Sequence, residues 1–71
     1  TFVVAALPAG PHLTVVRTTV GSAQSVALAI DQARWPEVVG TISGDDTVFV
    51  ATHDEAAQRA FIDRLPALAS R

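Results

Sequence analysis

The stretch Val38-Val39-Gly40-Thr41-Ile42-Ser43-Gly44-Asp45-Asp46-Thr47-Val48-Phe49-Val50 constrains the fold most. Two apolar, β-branched runs flank Ser-Gly-Asp-Asp, and runs of that kind about a short polar break specify an antiparallel hairpin. Glycine accepts positive φ at no steric cost, so Gly44-Asp45 is expected to supply a two-residue turn. Such a hairpin leaves two neighbouring carboxylates, Asp45 and Asp46, at its tip. Aspartate is in general a good turn former, because it hydrogen-bonds nearby amides. The remainder of the chain gives the pair a second reading.

Upstream, Phe2 to Leu7 and Leu13 to Thr18 read as strands on either side of the Pro8-Ala9-Gly10-Pro11 turn cluster. Gly21 and Ser22 open a helix, with Ser22 as the expected N-cap. It runs to about Arg34 and stops before Pro36, because the residue preceding a proline avoids the helical region. At about 100° per residue, Ala23, Val26, Ala27, Ile30 and Ala33 fall on one stripe suited to packing on a sheet. Gln24, Leu28, Asp31 and Trp35 form a second stripe, with Gln24 and Asp31 pointing the same way two turns apart. A helix with both stripes is expected to be contacted twice.

The strands of the second hairpin span roughly Glu37 to Ile42 and Thr47 to Ala51. By the two-residue period of a strand, Thr41 and Ser43 share a face with Val39. Thr52-His53-Asp54-Glu55 matches a capping box, with Thr52 as cap and Glu55 reaching back. The last helix carries Ala56, Ala57, Ala60, Phe61 and Leu65 at helical spacing. Pro66 is expected to end or kink it, leaving residues 67–71 as a short tail.

The order β-β-α-β-β-α implies an α+β, two-layer domain: a four-stranded antiparallel sheet with two helices on one face. The strands do not alternate apolar with polar. Phe2 to Leu7, Val15-Val16 and Val48 to Ala51 are apolar on consecutive positions, so both faces of the sheet require burial. Two helices cover one face, and the other is expected to meet another subunit. Composition agrees. A chain of 71 residues that is 49% hydrophobic, with no cysteine for disulfide or thiolate staples, is most economically stabilised by its own copies. The 1–71 stretch is one small domain, and its start on a strand-like run at Thr1 suggests a fragment of something longer.

The side-chain chemistry excludes several functions. Five arginines and no lysine stand against seven acids, a net charge of −2, so there is no basic stripe for nucleic acid. No apolar run reaches the ~20 residues that span a bilayer and nothing resembles a signal peptide, so a cytoplasmic protein without membrane contact is expected. His12 and His53 are the only histidines. One lies beside a turn and the other at a helix start, which supplies neither a catalytic base nor a metal-ligand set. The four glycines are dispersed, so no phosphate loop exists. No catalytic residue and no metal site is assigned, and the chain does not read as an enzyme. What remains is acidic and amide chemistry: Asp45, Asp46, Asp31 and Gln24, with Thr41 and Ser43 entering the turn. Carboxylates at an apolar, self-associating surface require a cation, because unpaired buried charge is expensive. Arg17 and Arg34 could serve when no ligand is bound. A guanidinium ligand would serve better, since its planar fork pairs bidentately with carboxylates. Asp31 and Gln24 could then hold the ammonium and carboxylate ends.

Gly40-Thr41-Ile42-Ser43-Gly44-Asp45-Asp46-Thr47 closely resembles the Gly-Thr-Ile-Ala-Gly-Asp-Asp-Thr signature of bacterial arginine repressors. Gly21-Ser22-Ala23-Gln24, with Asp31 seven residues after Gln24, is similar to their first regulatory helix. The resemblance covers essentially the whole chain and implies their C-terminal domain. Such a domain trimerises, and two trimers stack into a hexamer around six molecules of L-arginine, the co-repressor; no other cofactor is implied. By position, Gln24, Asp31, Thr41 and Ser43 would contact the ligand's α-amino and carboxylate groups. Asp45 from the opposing trimer would take the guanidinium, with Asp46 in support. Ser43 stands where the family has alanine. The family's winged-helix domain, which carries operator DNA binding, would precede Thr1. An amino-acid-binding regulatory module of a metabolic enzyme is the alternative reading; such modules usually run β-α-β-β-α-β. Pterin-dehydratase-type enzymes share the element order but need a histidine set that this chain lacks. A purely structural oligomerisation domain leaves the carboxylate pair without a purpose.

Overall fold

Apolar β-branched runs either side of a polar break do form the second hairpin. In a computed structural model that describes residues 2–69, β3 (Val38–Ser43) pairs antiparallel with β4 (Thr47–Thr52), Ile42 opposite Phe49 and Ser43 opposite Val48. The first hairpin joins β1 (Val3–Pro8) to β2 (Leu13–Thr18). The two hairpins meet through β2 and β4, with Val16 opposite Val48, which gives the sheet order β1-β2-β4-β3. Helix α1 (Ala23–Ala33) links the hairpins, and α2 (Glu55–Ala69) follows the second. The order β-β-α-β-β-α and the antiparallel four-stranded sheet are as expected.

Both helices lie on one face. Val16, Val48 and Val50 from the central strands, Ala23, Val26, Ala27 and Ile30 from α1, and Phe61 and Leu65 from α2 make a single buried cluster. Along β2 and β4 the burial alternates: Thr14, Val16, Thr18, Val48, Val50 and Thr52 point to the helices, and their neighbours do not. Phe61 is completely buried, and burying a side chain of that size contributes roughly 1.5–3 kcal/mol. The opposite face carries Leu7, Val15, Ile42 and Phe49 in register across all four strands. Ile42 is 77% exposed and Phe49 50% exposed, so this face is as apolar and uncovered as the consecutive apolar residues require.

Each edge strand contains a register shift, between Val3 and Ala5 and between Val38 and Gly40. A bulge inserts one residue and reverses the parity of everything beyond it. Thr41 and Ser43 therefore stand opposite the buried Val50 and Val48, on the helix side with Val38, and the inserted Val39 is mostly exposed. The uninterrupted two-residue period joining them to Val39 does not hold.

Other local signals also resolve differently. Ser22 makes no side-chain cap; its hydroxyl meets that of Thr19 at 2.8 Å. Thr52 belongs to β4, its hydroxyl donating to the Pro11 carbonyl at 3.3 Å, so it cannot cap α2. Asp54 does so, its Oδ1 accepting the Ala57 amide at 2.7 Å. Pro66 sits inside α2 rather than ending it. It removes one helical hydrogen bond, but Leu65 is buried and Leu68 packs on the core, which holds the last turn in place. Residues 67–69 are thus helical, and Ser70 and Arg71 of the expected tail lie outside the described residues. Buried Gln58 donates from Nε2 to the carbonyls of Gly10 and Leu13, both at 2.8 Å, clamping the first hairpin to α2.

Asp54→Ala is expected to destabilise the fold by about 1 kcal/mol through loss of the α2 cap. Ser22→Ala, which removes no cap, should stay within about 0.5 kcal/mol of the parent. Urea unfolding of the two variants at one protein concentration measures both.

Candidate ligand-binding edge

The Gly44 amide donates to the Thr47 carbonyl at 2.8 Å, so Asp45 and Asp46 are the two central residues of the turn. Gly44 does not adopt positive φ, and the expected Gly44-Asp45 turn is displaced by one residue. The backbone of the turn has other work. The Asp45 carbonyl accepts the amides of Gly21 at 3.1 Å and Ala23 at 3.2 Å, and the Asp46 carbonyl accepts the Thr18 amide at 2.8 Å. A helix leaves its first amides without internal partners. For α1 the hairpin tip supplies the acceptor that Ser22 was expected to provide. Gly21 reaches it with φ +81°, a conformation that a side chain would strain.

With their carbonyls engaged, the two aspartates differ in their carboxylates. Asp46 Oδ1 accepts the Thr47 hydroxyl at 3.0 Å, and Arg17 Nη1 donates to that same hydroxyl at 3.1 Å. Arg17 and Thr47 lie opposite one another on the open face. Asp45 is exposed, and its carboxylate has no hydrogen bond or ion pair among the described residues.

On α1, Gln24, Leu28 and Asp31 are all exposed. Trp35 leaves that stripe. The helix stops at Ala33, Arg34 takes a left-handed conformation, and Trp35 turns inward to meet Phe61 edge-to-face at 6.0 Å. The Arg64 guanidinium lies 5.8 Å over the Trp35 ring. Its Nε forms an ion pair with the buried Glu37 carboxylate, although the geometry makes no directed hydrogen bond to Oε2. Sequence reasoning missed this Trp35-Arg64-Glu37 cluster, which joins segments far apart in the chain.

The bulge in β3 brings Thr41 to α1, where its hydroxyl donates to Asp31 Oδ1 at 2.9 Å. Ser43 follows two residues on, half-buried. Five of the six residues singled out in the sequence therefore lie along one edge. Gln24 and Asp31 come from the outer face of α1, Thr41 and Ser43 from the edge strand β3, and Asp45 from the tip hydrogen-bonded to the start of α1. Asp46 is tied instead to Thr47 and Arg17. Two carboxylates, one carboxamide and two hydroxyls make a set of acceptors suited to a ligand carrying ammonium or guanidinium groups.

The family model described as arginine repressor, C-terminal domain, matches residues 3–67. The chain is 47% identical over 60 residues to an arginine repressor from Caldicellulosiruptor saccharolyticus, covering 84% of this chain and 40% of that protein. It is 48% identical over 65 residues to an arginine repressor from Anaeromyxobacter sp., covering 92% of this chain and 41% of the relative. A shorter match of 38 residues to an arginine repressor from Koribacter versatilis reaches 66% identity, over 54% of this chain and 26% of the relative. The matches thus span between about a quarter and two fifths of the length of these curated relatives.

The different backbone roles of two glycines give a direct check. Gly21→Ala should cost about 1–2 kcal/mol, the penalty for a side chain at left-handed φ. Gly44→Ala meets only the Thr47 carbonyl at 3.7 Å, an ordinary contact, and should change stability by less than about 0.5 kcal/mol. Denaturant midpoints of the two variants decide the matter.

Proposed function

The chain belongs to the arginine repressor C-terminal domain family, and from that premise we propose that it is the L-arginine-sensing and oligomerisation domain of a transcriptional repressor of arginine biosynthesis. The observation that carries the reading is Asp45, a carboxylate without a partner at the end of an otherwise acceptor-lined edge. A guanidinium supplies two parallel donors and a positive charge to such a group. In this reading Gln24, Asp31, Thr41 and Ser43 hold the ligand's α-amino and carboxylate groups. Asp45 reaches from the opposing trimer to the guanidinium, and Asp46, bonded to Thr47, braces the tip from behind.

Assembly follows from the same surfaces. The open sheet face bearing Leu7, Val15, Ile42 and Phe49 is covered by other copies in a trimer, and two trimers stack with L-arginine between them. A lone carboxylate enclosed between protomers is costly, whereas one paired with a guanidinium is tolerated. Ligand binding therefore stabilises the hexamer, and hexamer formation raises ligand affinity to the same extent. In the full-length protein, a separate winged-helix domain would carry operator binding. The hexamer would bias those domains towards paired half-sites when arginine is plentiful. The protein acts in the cytoplasm, has no catalytic step, and uses L-arginine as co-repressor rather than as a cofactor. The order β-β-α-β-β-α gives no support to an enzyme-linked amino-acid-binding module.

Light scattering with and without L-arginine should show a trimer moving to a hexamer. Saturation at 100 times Kd adds about 2.7 kcal/mol per site, seen as a rise of several degrees in melting temperature. Asp45→Ala should abolish that rise while leaving a folded trimer. A variant that keeps the full shift would refute the role given to Asp45.

A further inference from the structure

Arg34 is the one non-glycine residue with positive φ among the described residues, at φ 53°, ψ 40°. It occupies the cap position after α1, donating its amide to the Asp31 carbonyl at 3.3 Å, where glycine is the favoured residue. An unfavourable backbone conformation held by a large charged side chain points to a use for that side chain.

A hollow of about 120 Å³ adjoins it, with Asp31, Arg34, Trp35, Val39 and Gly40 among its lining. The hollow shares Asp31 with the Asp31–Thr41 hydrogen bond, which links it to the edge of the proposed ligand contacts. One wall is fixed, because Trp35 is held by Phe61 and by Arg64. Arg64 is itself engaged by Glu37. Arg34 is not engaged: it is exposed and has no side-chain partner among the described residues. Residues three apart on a helix readily form ion pairs, yet Asp31 and Arg34 form none. The left-handed cap carries Arg34 off the helix, leaving an anion and a cation around one small cavity, each open to an outside group.

We propose that Arg34 is a specificity-determining contact for the ligand's α-carboxylate, so that the Asp31–Arg34 hollow reads the zwitterionic head group of the amino acid. Asp31 takes the α-ammonium, and the guanidinium of Arg34 pairs with the carboxylate in the forked geometry that arginine favours. Gln24 lies in the first turn of α1 and Arg34 beyond its last, so in this inference the carboxylate contact passes from Gln24 to Arg34. This inference rests on the arginine-sensing reading and adds to it a discrimination between L-arginine and guanidino compounds lacking a carboxylate.

Calorimetry on the assembled protein tests it with two probes, L-arginine and agmatine, its decarboxylated analogue. The proteins are the parent, Arg34→Gln and Arg34→Gly, the last of which relaxes the backbone and keeps the fold. L-Arginine should bind about tenfold or more weakly to both variants, the loss expected for one charge-assisted contact, while agmatine binding stays within about twofold. Equal L-arginine affinity in parent and variants, or a parallel loss for agmatine, would overturn the role of Arg34 and leave the arginine-sensing reading standing. A parent protein that binds neither compound would remove both.

Discussion

The Asp45 carbonyl accepting the amides of Gly21 and Ala23 is the contact on which the arrangement depends. It closes the start of α1 with backbone from a hairpin more than twenty residues further along the chain. The neighbouring Asp46 carbonyl ties the same tip to the end of β2 through the Thr18 amide. The tip is therefore a packed joint between β2, α1 and the second hairpin rather than a free loop. Backbone groups satisfy the structural demand there, which releases a side chain for other use. An aspartate whose carboxylate is needed for capping could not also meet a ligand; Asp45 caps with its carbonyl and keeps the carboxylate open.

Charge placement follows the same division. The buried Glu37 carboxylate takes Arg64, and Asp46 is reached by Thr47, on which Arg17 also donates. Asp45 and Asp31 have no such cation, and both lie along the edge formed by α1 and β3. In the proposed hexamer these acids lie where the two trimers meet. A cationic ligand at that boundary changes the free energy of association as well as its own binding, which is the condition for a metabolite to control oligomeric state.

Much of this was legible in the sequence, for identifiable reasons. Strands, helices and their order follow from short-range periodicity, and the buried stripe Ala23, Val26, Ala27, Ile30 follows from helical geometry alone. The spacing of Gln24 and Asp31 and the carboxylates at the tip were equally plain. What stayed hidden depends on partners distant in sequence. Ser22 carries the local mark of a cap, but the acceptor comes from Asp45. Thr52 carries the mark of a capping box, but β4 extends through it and Asp54 takes the role. Trp35 continues the exposed stripe only if α1 continues, and the left-handed Arg34 ends it. Gln58, Glu37 and Arg64 carry no local mark of their roles, because their partners come from elements distant in the sequence.

The bulge in β3 shows how much one residue changes which side chains meet α1. Val38 lies opposite the buried Thr52, on the helix side. With unbroken alternation Thr41 and Ser43 would then point to the open face, and Ile42 would point to α1. The inserted residue reverses this: Ile42 joins Phe49 on the apolar face, and Thr41 comes within 2.9 Å of Asp31. One extra residue thus sorts β3 into an exposed apolar side and a polar side that meets α1. The hairpin's sequence carries both sets of residues, but only the register decides which surface each one serves.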